Sequence, residues 1–182
     1  SVFDQRGCVS PHLFFVESGG ALSPTDWAAL LAEEMAAWAD RVPTGELEPE
    51  EAAAIQQLRG SVEIRMAAGE GLELWQGSDL SWTVVYDPDL RFQASCLGRV
   101  VRVVPADSAE HALTALEPIR RQLQTVLADG LGERLRPLAE ELARLGASRV
   151  CSFEDGPWPP PWWHHDGRGP LRSLARWTDL EA

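Results

Sequence analysis

The chain has no lysine: all 16 basic positions in its 182 residues are arginine, which we read as composition bias rather than chemistry. Basic charge is also scarce where a nucleic acid would need it. Residues 1–90 carry 16 acids against 4 arginines, residues 91–182 carry 12 of each, and the net charge is −12. No basic stripe is present to neutralise phosphates, so nucleic acid is excluded as a partner and the acidic half reads as a solvated face. No apolar run approaches the roughly 18 residues that a membrane span needs, and nothing at the N-terminus reads as a secretory signal. Cysteine is scarce too. Cys8, Cys96 and Cys151 are odd in number and widely spaced, which suits neither a secreted disulfide framework nor a structural zinc site and points to a reducing, cytoplasmic setting. Also missing are a Gly-x-Gly-x-x-Gly or Walker-type phosphate loop and a Ser-His-Asp motif. There is no internal repeat and no low-complexity tract outside Pro157–Trp163.

What remains is a regularly patterned chain with 45% apolar residues, long enough for one domain with a sizeable core. Leu13–Val16 reads as a buried strand. Ser23 is a plausible N-cap with Pro24 at the first helical position, and Trp27, Leu30, Leu31, Met35 and Trp38 repeat at helical spacing up to Val42-Pro43. A second helix begins at Pro49 and runs to about Met66. Leu72–Trp75 and Trp82–Tyr86 read as strands of a hairpin around Gly77-Ser78-Asp79. Val100–Val104 fits a strand buried on both faces. A helix through Leu116 follows, with its cap and acidic first turn at Asp107–Glu110. Leu123–Ala128 is the next strand. Leu135, Leu138, Leu142 and Leu145 mark a helix closed by Gly146, and Arg149–Phe153 is the last strand. Strands alternating with helices over short connections predict an α/β fold: an open, mostly parallel sheet with flanking helices, plus a small hairpin.

Cys8 is the residue that draws chemistry to itself. It sits in a polar, Gly-containing loop just ahead of a core strand, where a rigid frame can hold a thiol within reach of substrate. Sulfur is strongly nucleophilic and attacks thioester carbonyls well. The backbone N–H of Cys8 is the natural donor to the resulting oxyanion. Gly7 leaves the approach uncrowded, Val9 completes the loop support, and Pro11 fixes the geometry. The opposing reading is an inert packing thiol, which free cysteines often are.

The segment Asp4-Gln5-Arg6-Gly7-Cys8-Val9-Ser10-Pro11, continuing His12–Glu17, resembles the nucleophile loop of the long-chain acyl-CoA reductases, relatives of the aldehyde dehydrogenases. A second similarity lies in Ala147–Cys151 and in Trp163-His164-His165-Asp166-Gly167-Arg168. Together the two cover nearly the whole chain in the expected order. The resemblance implies the C-terminal, catalytic-cysteine domain of such a reductase over residues 1–182. Cys8 would accept the acyl group and a nicotinamide cofactor, NADPH in this family, would supply hydride to release fatty aldehyde. The cofactor would be held mainly by an N-terminal domain absent from this chain. The start at Ser1, directly on the loop, accordingly suggests a fragment. Two other reactions remain open, aldehyde oxidation and acyl-phosphate reduction, as does a non-catalytic binding module that retains the fold. Assembly into a homo-oligomer is left open.

Three further groups carry competing readings. Aldehyde dehydrogenases keep a Glu for the nicotinamide ribose at the position occupied here by Ser95, and Leu97 and Arg99 replace the Phe and Pro that follow, so this segment departs from the family pattern. Cys96 reads as a small buried hydrophobe. His164-His165-Asp166 offers ligands for a metal, but neighbouring imidazoles on extended chain point to opposite faces. Active-site neighbours (His164, His165 and Ser95) or a hydrogen-bonded turn at Asp166-Gly167 are the other readings, and we expect no metal. Trp158–Trp163 could serve as a polyproline ligand, line an acyl-chain groove, or cover a partner domain or sheet edge.

Overall fold

The computed structural model describes residues 2–8, 10–169, 174–176 and 178–181, with residues 2 and 3 by backbone alone. The chain divides into two compact units, residues 1–115 and 116–182.

The first unit is an α/β layer structure built on a four-stranded sheet. Strands β1 (Leu13–Glu17), β2 (Glu73–Gln76), β3 (Thr83–Tyr86) and β4 (Val100–Ala106) lie in the order β1-β4-β3-β2. β4 is parallel to both β1 and β3, and only the β2–β3 pair is antiparallel. The hairpin is therefore not an appendage. Its second strand lies beside the centre of the sheet. β4 takes the middle because Val100, Val101, Val103 and Val104 can fill both faces at once, and all four are buried. Each such valine contributes roughly 1.5–3 kcal/mol by leaving water. Pro105 is tolerated near its end because its missing N–H falls on the β3 side, where the ladder has just closed with the Asp87 N–H donating to the Val103 carbonyl at 3.0 Å.

Helix α1 (Pro24–Arg41) starts where the sequence predicts. The Ser23 hydroxyl accepts the Asp26 N–H at 3.1 Å, and Pro24 occupies the first turn. Ala28 and Ala32, one turn apart, are buried against Val84 and Val103, so their small side chains let the helix lie close on the sheet. Helix α2 (Pro49–Ala67) is opened by Glu51 reaching back to the Glu48 N–H at 3.0 Å. Its Val62 packs with Leu72 and Val85. Val84 and Val85 are successive strand residues and point to opposite faces, so α1 and α2 cover the two sides of the sheet. Helix α3 (Ala109–Leu116) follows β4.

The second unit carries a sheet of its own. β5 (Thr125–Leu127) and β6 (Arg149–Cys151) pair in parallel, connected through helix α4 (Leu135–Leu145), whose Leu138 and Leu142 are buried. The sequence reading placed these strands after β4 in one continuing sheet. Instead β4 has no free edge, because β1 and β3 occupy both of its ladders, and the later strands pair with each other. They are also shorter than their apolar runs suggest, at three residues each. Gly146 closes α4 at φ 126°, and a Cβ there would lie 2.4 Å from the Arg120 carbonyl oxygen, so only glycine fits. Among the described residues no helix is long and apolar enough to cross a membrane.

Candidate active site at the Cys8 loop

Cys8 is the exposed one of the three free cysteines; Cys96 and Cys151 are half-buried. It follows a short 3-10 turn, Val2–Gln5, and the bend continues as the Ser10 N–H donates to the Gly7 carbonyl at 3.0 Å. Asp4 and Gln5 adopt left-handed backbone, with φ 53° and 64°. Non-glycine residues rarely hold that conformation, and two in succession persist only where surrounding contacts impose it.

Those contacts are buried hydrogen bonds to the segment leading into β4. Gln5 is 3% exposed. Its side-chain amide donates to the Pro11 and Val100 carbonyls, both at 2.9 Å, while its Oε1 accepts the Val100 N–H at 2.9 Å. One side chain thus spans the loop on both sides of Cys8 and fastens it to the first residue of the central strand. Asp4 makes the second attachment. Its carboxylate accepts from Arg99 Nε at 2.7 Å and from the Gly45 N–H at 3.1 Å, and its carbonyl accepts the Gly98 N–H at 3.2 Å. Arg99 donates onward to the Val42 carbonyl at 2.7 Å, a group left over at the end of α1. Arg6 reaches Glu51 at 2.7 Å, an exposed pair that adds little.

The clamping segment is itself tightly wound. Leu97, Gly98 and Arg99 have φ of 70°, 63° and 61°. A Cβ on Gly98 would come within 2.7 Å of Ile55 Cδ1, so a side chain there would push aside the end of Ile55 on α2. Ser95 holds the bend. Its hydroxyl donates to the Val100 carbonyl at 2.6 Å and accepts the Leu97 N–H at 2.9 Å, and its own N–H donates to His12 Nδ1 at 3.2 Å.

The predicted site residues belong to different units and are described within each. Ser95 meets Gln5 and His12, which flank Cys8 in the chain. Gly7 is in the loop, but a Cβ there would touch only the Ser10 hydroxyl at 3.4 Å, so nothing in the local packing demands glycine. Val9 lies outside the described residues. His164 and His165 belong to the second unit, in a turn formed by Asp166 (φ 51°) and Gly167 (φ 72°). There His165 Nδ1 lies 3.1 Å from Asp166 Oδ2, and Gln124 donates to Asp166 Oδ1 at 2.7 Å. That amide, and to a lesser degree His165, draws the Asp166 carboxyl below its ordinary value against a small opposing effect of burial.

The other thiols differ in character. Burial pushes the Cys96 thiol up, opposed weakly by its own backbone and by Arg102, and burial likewise pushes up that of Cys151. Reactive thiolates need the opposite environment. As for a nicotinamide ribose, the Ser95 hydroxyl is already committed to Val100 and Leu97, so it does not fit that grip.

Sequence reasoning singled out Cys8 but missed Asp4, Gln5 and Arg99 as the residues that hold its loop. The available signal was two polar residues ahead of a cysteine, matched by an arginine beside a glycine at the mouth of a valine-rich strand.

Compared with known families, residues 1–177 match the model for acyl-CoA reductase (LuxC). The chain belongs to the acyl-CoA reductase (LuxC) family. It is thus a member of a family that reduces fatty acyl groups, and the match takes in both the Cys8 loop and the His164–Asp166 turn. No curated protein matches this reductase chain.

Proposed function

We propose that Cys8 is the acyl-accepting nucleophile of a fatty acyl-CoA reductase, and that this chain is its C-terminal, catalytic-cysteine portion in the aldehyde-dehydrogenase superfamily. The observation that carries the reading is an exposed thiol on a loop fixed from beneath by a buried amide. The Cys8 thiolate attacks the thioester carbonyl carbon, forming a C–S bond. The tetrahedral oxyanion collapses with loss of the coenzyme A thiolate, which takes up a proton, and an acyl-Cys8 thioester remains. The Cys8 backbone N–H is the donor assigned to the oxyanion. A rigid loop serves this step because its donor stays aimed without reorganisation as charge develops. NADPH is the hydride source that family membership implies; the Ser95 hydroxyl, bonded to Val100 and Leu97, does not fit its ribose.

The reading is tested by incubating the protein with dodecanoyl-CoA and measuring intact mass and peptide position. One acyl group on Cys8, absent in Cys8→Ala, is expected. Labelling from dodecanoyl phosphate but not from the thioester would reassign the enzyme to acyl-phosphate reduction. An unacylated Cys8 with both donors would leave a non-catalytic module.

A further inference from the structure

His12 stands at the neck of the Cys8 loop. The loop leaves Gln5 and returns at Pro11, and the Gln5 amide donates to the Pro11 carbonyl at 2.9 Å, so its two ends are tied to each other. The next residue, His12, is exposed, yet its ring is held: the Ser95 N–H donates to Nδ1 at 3.2 Å. Ser95 is fixed in turn, its hydroxyl bridging the Leu97 N–H and the Val100 carbonyl. At most about 14 Å of extended chain separates the Cα atoms of Cys8 and His12, and the turn closed by the Ser10 N–H on the Gly7 carbonyl shortens that reach. We infer that His12 is a second donor to the oxyanion formed at Cys8, acting through Nε2–H beside the Cys8 backbone N–H; this rests on the reading of Cys8 as an acyl acceptor.

The Ser95 contact decides which chemistry the imidazole can perform. A main-chain N–H only donates, so Nδ1 is the bare nitrogen and the neutral ring carries its proton on Nε2. Among the described residues Nε2 has no partner. In this tautomer Nε2 has no lone pair with which to take the thiol proton, so His12 is no base for Cys8. It is a donor. A neutral imidazole N–H suits an oxyanion, because it gives a hydrogen bond as charge gathers on the acyl oxygen and keeps its proton when the tetrahedral state collapses. An oxyanion has room for more than one donor, and the Cys8 N–H fills only one place. A ring already anchored at Nδ1 meets the growing charge without reorganising.

The test compares acylation of Cys8, which passes through an oxyanion, with alkylation, which does not. With p-nitrophenyl acetate the 182-residue protein forms the Cys8 S–C bond, breaks the ester C–O bond and releases p-nitrophenolate, read as a burst absent in Cys8→Ala. Iodoacetamide forms its S–C bond by displacing iodide. His12→Asn keeps an acceptor for the Ser95 N–H at the place of Nδ1 but has no donor at the place of Nε2, whereas His12→Gln puts an amide N–H there. His12→Asn should slow the burst roughly 100- to 1,000-fold, His12→Gln should recover most of that loss, and neither should alter the alkylation rate. An unchanged burst in His12→Asn would overturn the proposal. So would alkylation that falls in step with the burst, the mark of a residue that only shapes the loop, or a loss in His12→Gln as large as in His12→Asn. The coenzyme A part of the reading is judged separately with dodecanoyl-CoA. If that thioester fails to label Cys8 while the p-nitrophenyl acetate contrast holds, the coenzyme A part falls and the donor stands; equal labelling of wild type and His12→Asn does the reverse. A wild-type protein with no Cys8-dependent burst removes the donor.

Discussion

The Cys8 loop and the tryptophan segment 158–163 are both short, irregular and punctuated by proline or glycine, yet they are held in opposite ways. The Cys8 loop is secured from inside, by a buried Gln5 amide and an Asp4–Arg99 pair whose side chains are 16% and 10% exposed. The tryptophan segment is secured by backbone turns, by proline stiffness and by the Arg149 guanidinium against Trp163, with the Trp158 and Trp162 rings left outward. The contrast teaches that an irregular loop can be fixed by buried hydrogen bonds beneath it or by a stiff chain of its own.

The largest expected effect comes from breaking the inner attachment. Arg99→Leu leaves the Asp4 carboxylate without its charge partner and the Val42 carbonyl without that donor, and should cost about 3–5 kcal/mol in a denaturant titration, as removal of one partner of a buried pair does. Gln5→Leu preserves volume but leaves the Val100 N–H and the Pro11 carbonyl without that partner. A loss of about 1–3 kcal/mol is expected, with slower alkylation of Cys8, the second readout separating loop geometry from general stability. If Trp158→Ala cost as much as either, the contrast between the two regions would fail; a change within about 0.5 kcal/mol is expected of an exposed side chain.

Thiol titration sharpens the comparison further. At pH 8 with limiting iodoacetamide, peptide mapping should find Cys8 modified ahead of Cys96 and Cys151, whose thiols burial pushes up. A thiol raised in the folded state favours its protonated form there, so its contribution is full below the ordinary value of 9.0 and declines as pH rises beyond it. Unfolding midpoints should therefore fall as pH rises above 9.0, and Cys96→Ala should lessen the fall. Smallest of all is Gly7→Ala, expected within about 0.5 kcal/mol because its new methyl meets only the Ser10 hydroxyl.

Much of this was legible beforehand, and the reasons are local. Ser23-Pro24 announces a helix start by its own chemistry, Gly146 announces an end by its backbone, and four valines around Arg102 announce a strand covered on both faces. Partnership is a different matter. A run such as Thr125–Leu127 declares an extended chain without saying beside what, and it was the occupancy of both β4 ladders that sent β5 to β6. At the site, Cys8 was visible as a reactive type in an open loop. Gln5 was not visible as a fastening, because its value comes from Pro11, Ser95 and Val100, groups up to 95 residues away that only folding brings to it. Arg102 was hidden likewise: it is buried beneath the sheet against Asp87 at 2.9 Å, which no period-two pattern announces.

Val100 has two duties. Its side chain belongs to the apolar interior, and its main-chain N–H and C=O serve as the mooring for Gln5. Slackening the Cys8 loop would then require the lead residue of β4 to fray as well. Motions at the thiol are thus coupled, through Gln5, to the backbone of the central strand, so the loop draws its order from the sheet.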